Sequence, residues 1–67
     1  MNYDLLKETI NKTGRTLTFV AQELGIERAS LYNKLEGKTE FKISEIRKIT
    51  DLLNLSTDER DSIFFAD

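Results

Sequence analysis

The sequence predicts a small all-α domain, and three observations support this prediction. Apolar residues recur at steps of three and four along four segments, as they do on one face of an α-helix, and a capping box marks the start of a fifth. Glycine, hydroxyl and amide residues stand at the ends of those segments, where helices typically stop and start. No strand-like alternation and no proline interrupts the 67 residues. The chain is therefore predicted to be a single helical domain over residues 1–67.

The first helix is predicted at about 3–13, with Tyr3, Leu6 and Ile10 on its apolar face. Asn2 stands where a side-chain oxygen can accept from the first free amides of this helix. Gly14 follows where the helix has to stop, since glycine adopts the left-handed conformation of a helix end without a Cβ clash.

The second helix is predicted at about 18–24, with the Thr18 hydroxyl as its cap and Leu17 as the apolar residue ahead of the cap. Gly25 ends it in a left-handed turn. Ala21 lies one turn earlier, where two steeply crossing helices leave room only for a small side chain. A short helix, a tight turn and another helix are therefore expected here.

The third helix is predicted at about 28–36, with Leu31 and Leu35 facing the core and Gly37 at its end. Glu27 is a poor cap for this helix, because serine or threonine is preferred at that position. The fourth helix is predicted at about 43–53, after the weak cap Lys42. Its apolar residues are Ile43, Ile46, Ile49, Leu52 and Leu53.

The last helix is predicted at about 57–65, because Ser56 and Glu59 have the spacing of a capping box. It ends in three consecutive apolar residues, Ile63, Phe64 and Phe65, which one helix face cannot bury together. We expect two of them to pack on the first helix and one to be exposed at a dimer contact. All three are candidates for a dimer interface.

Composition excludes most kinds of catalytic and metal chemistry. The chain has no histidine and no cysteine, so the usual base for a serine or cysteine nucleophile and the usual ligands of zinc are missing. It also lacks a glycine-rich phosphate loop, a calcium loop, a signal peptide and an apolar run long enough to span a membrane. We therefore expect a cytoplasmic protein with no catalytic residue, no metal and no cofactor.

Charge is distributed unevenly along the chain, although the net charge is only −2. Between Lys12 and Lys48, eight basic and five acidic side chains leave a charge of +3. From Ile49 onward, one basic residue stands against five acidic ones, the last of which is Asp67. This asymmetry suggests a central binding surface and an acidic end, while mixed surface charge is the commoner explanation of such a pattern.

The arrangement resembles the lambda-repressor-like, Cro-like (XRE-type) helix-turn-helix family over nearly the whole chain. Ala21 and Gly25 stand four residues apart, and Gly37-Lys38 follows where the family commonly places a glycine and a basic residue. The apolar sites of the motif are occupied by Val20, Leu24, Ile26 and Leu31. LYNKLEGK, SEIRKITDLLNLS and the IFF ending are most similar to small phage and prophage regulators of Gram-positive bacteria. The resemblance implies a five-helix all-α domain that binds double-stranded DNA, usually as a dimer.

The sequence departs from the family pattern in two places, at the start of the second helix and near the end of the third. Leu17 and Thr18 stand where the second helix commonly begins with a phosphate-contacting glutamine. Lys34 occupies a site that is commonly apolar, and the sequence leaves open whether Lys34 or Leu35 packs inward.

The resemblance also assigns residues to a DNA interface. The outward residues of the third helix, which match the family's base-contacting positions, are Arg28, Ala29, Tyr32 and Asn33. The candidates for phosphate contact are Lys12, Arg15, Thr18, Lys38, Thr39 and Lys42. For Arg28 or Asn33 alone, an ordinary solvated helix residue is the simpler interpretation.

Two functions remain open at this point. The leading hypothesis is a transcriptional regulator that represses as a dimer on a near-palindromic operator, without a small-molecule substrate and without a membrane. The alternative is a protein-interaction module of the same fold, an antirepressor or antitoxin-like partner, which the five central glutamates and the weak net charge keep possible.

Overall fold

The structure is a computed structural model that describes residues 1–66 of the chain, and Asp67, counted in the charge distribution above, lies outside the described residues. Five helices and no strand occur within residues 1–66, so the all-α prediction is confirmed. The helices are α1 Tyr3–Lys12, α2 Leu17–Leu24, α3 Arg28–Leu35, α4 Ile43–Leu52 and α5 Thr57–Arg60, the last continued by a π-helical segment, Asp61–Phe65.

The helices pack around one apolar core. The second helix contacts both α3 and α4, while α1 packs against α3 and the π-helical segment. The core residues are Leu6, Ile10, Val20, Ala21, Leu24, Leu31, Leu35, Ile46, Ile49, Leu53, Ile63 and Phe64. Every helix except the short α5 places at least two residues in this cluster. None of the helices in the described part of the chain is long and apolar enough to cross a membrane.

The predicted start of the second helix is one residue too late, and its predicted cap is wrong. The helix begins at Leu17, and its cap is Thr16, whose Oγ1 accepts a hydrogen bond from the Phe19 amide at 3.0 Å. Thr18 is instead an exposed residue of the first turn. The reason is packing: Leu17 lies against the core as the first helical residue, which places the residue before it at the cap.

Replacing these two threonines separately tests the corrected cap. Thr16→Ala is expected to lower the free energy of unfolding by about 1 kcal/mol, because the Phe19 amide loses its acceptor. Thr18→Ala removes an exposed hydroxyl from the same turn and is expected to leave stability unchanged within about 0.5 kcal/mol. Urea unfolding followed by circular dichroism measures both, and a larger loss in Thr18→Ala would restore the original assignment.

The turn between α2 and α3 has the predicted glycine geometry. Gly25 has a φ of +72°, which side-chain-bearing residues rarely adopt. Its amide donates to the Gln22 carbonyl at 3.1 Å, and the Ile26 amide donates to the Ala21 carbonyl at 3.0 Å. These two bonds close the end of α2, and Ala21 is only 2% exposed, as expected for a small residue in the core beside this turn.

The start of α4 differs from the expectation in one residue. Ile43, predicted to be on the apolar face, is 59% exposed, because it is the first helical residue and lies outside the stripe formed by Ile46 and Ile49. Lys42 has no side-chain acceptor to offer as a cap. The Glu45 carboxylate, in the first turn of α4, accepts from the Lys42 amide at 2.8 Å and so supplies only the second of the two bonds of a capping box.

The C-terminal helix has the predicted capping box. Ser56 Oγ accepts from the Glu59 amide at 3.1 Å, and Glu59 Oε1 accepts from the Ser56 amide at 2.9 Å. The backbone then widens into the π-helical segment, whose Ile63 carbonyl accepts from the Asn2 amide at 2.7 Å. This bond joins the two ends of the domain.

The three final apolar residues are divided between core and surface. Ile63 and Phe64 are buried at 1% and 7% exposure, whereas Phe65 is 55% exposed. The expectation that two of the three residues lie inside and one is exposed is therefore confirmed. Ile63 and Phe64 are withdrawn as candidates for the dimer interface, because both side chains are already covered within one chain. Phe65 is left as the dimer-contact candidate.

Candidate nucleic-acid interface

The third helix has one buried face and one exposed face. Leu31 and Leu35 are 0% and 2% exposed, as predicted. On the opposite face Arg28 and Ala29 are exposed, Tyr32 is 52% exposed, and Asn33 is half-buried. The helix is therefore fixed to the core by its leucines, while the side chains predicted to contact bases point away from it.

The four candidate base-contacting side chains come together in one place. Arg28, Ala29, Tyr32 and Asn33 line a single shallow, open depression on the surface of α3. Within a small area they offer a guanidinium with several donors, an amide that donates and accepts, a phenol and a methyl group. That combination suits the edges of base pairs, which present donors, acceptors and the thymine methyl.

Tyr32 also borders a second groove, between α1, the start of α2 and α3. This groove is lined by Lys7, Ile10, Asn11, Leu17, Tyr32, Leu35 and Glu36. At its edge Lys7 Nζ donates to Glu36 Oε1 at 3.0 Å, and this hydrogen bond, with the charge of the carboxylate, raises the pKa of the lysine despite the opposing effect of desolvation. Sequence patterns could not indicate this pair, since its members lie 29 residues apart.

The candidate phosphate-contacting residues lie outside the α3 depression, in two groups. Lys12, Arg15 and Thr18 are exposed around the end of α1 and the start of α2. Lys12 is ion-paired with Glu8 at 3.1 Å, although both side chains are largely exposed, and such pairs bind weakly. The Arg15 guanidinium lies 5.2 Å from the centre of the Phe19 ring, which holds it near the first turn of α2.

The second group, Lys38, Thr39 and Lys42, is exposed in the loop between α3 and α4. Gly37 begins this loop with a φ of +78°, and the Lys38 amide donates to the Asn33 carbonyl at 2.9 Å. The φ of Gly37 favours glycine, and a Cβ atom there would lie 3.2 Å from the Tyr3 ring, which would have to shift to make room. The loop therefore leaves α3 in a defined direction.

Both Lys34 and Leu35 pack inward, which answers the question that the sequence left open. Lys34 is 9% exposed, and its Nζ lies 3.1 Å from Glu45 Oε1 and donates to the Glu40 carbonyl at 2.9 Å. Burial alone would raise the pKa of the Glu45 carboxyl, but hydrogen bonds from the Lys42 amide and from Lys34 outweigh it and hold that pKa below its ordinary value. The sequence indicated Lys34 only as a polar residue at an apolar site, and it gave no sign of its partner.

The Glu45 carboxyl makes the folded chain less stable at acidic pH. The pKa of Glu45 is lower in the folded chain than its ordinary value of 4.5. The stabilisation that the ionised carboxylate gives the fold is therefore present above pH 4.5 and is lost as the pH falls below 4.5. The urea midpoint is expected to drop on acidification through this range. Glu45→Gln should show a smaller drop than the unsubstituted chain, and an equal drop would mean that other carboxyls cause the acid sensitivity.

Comparison with known protein families finds one match. A family model described as "Protein of unknown function (DUF739)" matches residues 1–67. Comparison with curated proteins and with solved structures finds no significant match.

Proposed function

The chain belongs to the family described as protein of unknown function DUF739, and we propose that it is a sequence-specific transcriptional regulator that binds double-stranded DNA. In this proposal the fold is lambda-repressor-like, with α2 and α3 as its helix-turn-helix. The observation that carries it is the shared depression of Arg28, Ala29, Tyr32 and Asn33 on a helix whose opposite face is buried.

We place α3 in the major groove. The groove is about 12 Å wide and admits one α-helix, whose exposed residues then reach the base edges. Arg28 can donate two hydrogen bonds to guanine O6 and N7, and Asn33 can pair with adenine N6 and N7. The Ala29 methyl suits a thymine methyl, and the Tyr32 phenol suits a sugar or a phosphate.

Phosphate contacts hold the helix in register. The exposed Thr18 hydroxyl and the free amides at the start of α2 suit one strand, and the positive end of the α2 dipole adds to their attraction. Lys38, Thr39 and Lys42 suit the backbone on the other side. The acidic net charge of −2 matters less than it first suggests, because these contacts lie within residues 12–48, which carry a charge of +3.

The proposed binding unit is a dimer on a near-palindromic operator. One small domain offers few contacts, and two recognition helices about 34 Å apart would read two half-sites one helical turn apart. Occupying such a site in a promoter would repress transcription. Among the C-terminal apolar residues, Phe65 is the one whose ring is exposed to a second copy, with the Arg60 guanidinium 5.8 Å from its centre.

Phe65→Asp tests this contact. The substitution is expected to shift the chain from dimer to monomer in sedimentation experiments, because it places a charge in an apolar interface. The free energy of unfolding of the monomer should change by less than about 0.5 kcal/mol, since the side chain is largely exposed. Unchanged dimerisation would assign the interface to another surface.

A salt-dependent binding titration tests the proposed function itself. Fluorescence anisotropy with the duplex DNA that flanks the gene is expected to show selective binding over a scrambled duplex of equal length. Four to five phosphate contacts per subunit predict a slope of about −7 to −9 in log K against log salt for the dimer. No binding even at low salt would reject the proposal in favour of the protein-interaction module.

A further inference from the structure

The buried pair of Lys34 and Glu45 connects the third helix to the end of the following loop. Lys34 Nζ, on α3, contacts both the Glu45 carboxylate at 3.1 Å and the Glu40 carbonyl at 2.9 Å. Glu45 Oε1, on α4, also accepts from the Lys42 amide at 2.8 Å. Two charged side chains thus hold backbone groups on both sides of Phe41.

The surroundings of the pair are closed and fully hydrogen-bonded. The Lys34 and Glu45 side chains are 11% and 6% exposed. The ammonium lies 5.9 Å from the centre of the Phe41 ring, which packs edge-on against Phe64 at 5.7 Å between ring centres. Within residues 1–66 no buried side-chain nitrogen or oxygen lacks a hydrogen-bond partner. The loop end is therefore tied to the core through Phe41 and to α3 through Lys34.

Stability alone is a poor explanation of this pair. Removing two charges from water has a large cost, and replacing a buried ion pair with apolar residues of similar volume is often neutral or stabilising. Lys34 also stands beside Leu35, so an apolar residue at position 34 would extend the buried face of α3. What an apolar pair cannot do is bind the Glu40 carbonyl and the Lys42 amide at fixed positions.

We propose that Lys34 and Glu45 form a positioning pair, which fixes residues 40–42, the second half of the loop 38–42, relative to α3. This inference rests on the proposed function, in which the loop contacts phosphates, and it identifies Lys34 and Glu45 as the residues that hold the loop in place. With the loop fixed, Lys38, Thr39 and Lys42 meet the DNA backbone while α3 lies in the groove. The start of the loop is set separately by the bond from the Lys38 amide to the Asn33 carbonyl, so the pair governs its second half.

The test compares two double substitutions. Lys34→Met with Glu45→Gln removes the ion pair and the bond to the Glu40 carbonyl, while the glutamine oxygen can still accept from the Lys42 amide. The matched control is Lys7→Met with Glu36→Gln, which removes the half-exposed ion pair between α1 and the end of α3. Glu45→Asp, which shortens the carboxylate by one methylene, serves as a second and milder variant should the first fail to fold.

Two measurements are made on each folded variant. Nitrogen-15 relaxation without DNA reports loop motion, and the order parameters of amides 40–42 are expected to fall from about 0.85 to below about 0.6 in the Lys34/Glu45 variant only. In DNA titrations the same variant should lose up to about 2 units of salt slope per dimer, as the contact of Lys42 weakens by up to about 0.9 per subunit. Its preference among base sequences should stay unchanged.

The two measurements separate failure of this inference from failure of the proposed function. Unchanged order parameters would overturn the positioning role, whatever the DNA result. A mobile loop with an unchanged salt slope would overturn its connection to phosphate binding. If the unsubstituted chain binds no DNA, the proposed function fails, and relaxation alone then decides whether the pair positions the loop.

Discussion

Leu31→Ala is expected to unfold the domain at room temperature or to leave it only marginally folded. The Leu31 side chain is 0% exposed and belongs to the apolar core on which α2 and α3 meet. Truncating a buried leucine typically costs about 2–5 kcal/mol, and a domain of this size has only about 3–5 kcal/mol of net stability. The loss is therefore comparable to the whole stability of the chain.

Circular dichroism with urea measures this effect. Ser30→Ala is the matched control, since the neighbouring residue is exposed on the same helix and its substitution should change stability by less than about 0.5 kcal/mol. A Leu31→Ala chain that unfolds cooperatively with a loss under about 1 kcal/mol would contradict the packing of α3 described above.

Arg28→Ala and Asn33→Ala are expected to have the largest effects on DNA recognition while leaving the fold intact. In the proposed complex each substitution would remove a bidentate contact to one base, which is worth about 1–3 kcal/mol of discrimination at that base pair. In a dimer the loss occurs at both half-sites. Arg28 is exposed, so its truncation has little effect on packing.

The comparison variant is Lys38→Ala, which removes a loop charge and should weaken binding to all sequences alike. Titrations against duplexes that differ by one base pair distinguish the two behaviours. If all three variants lower affinity equally for every duplex, the roles assigned to Arg28 and Asn33 are wrong.

Local patterns predicted the helices and the turn that positions α3. Leu6 and Ile10 indicated α1, and Leu31 with Leu35 indicated which face of α3 is buried, because spacing on a single helix determines which residues share a face. Gly25 indicated the turn, since a left-handed φ strongly favours glycine. The same patterns led to the exposed set that lines the α3 depression.

The sequence did not determine the structure where two local choices were nearly equal, or where two interacting residues are distant in the chain. Thr16 and Thr18 both precede apolar residues, and only the packing of Leu17 decides between them. Lys34 and Glu45 lie on different helices, and no spacing rule connects them. The sequence pattern does not determine whether the candidate site binds DNA, because helices with an exposed polar face occur in proteins of several functions.

Selection of bound sequences from a random pool of duplex DNA tests the central claim most directly. The unsubstituted chain, at about 150 mM salt, is expected to enrich a near-palindromic site whose half-sites lie about one helical turn apart. Arg28→Ala and Asn33→Ala should each lose the preference at one position of every half-site. Failure to enrich any sequence, by a folded and dimeric chain, would contradict the proposal that α3 reads DNA.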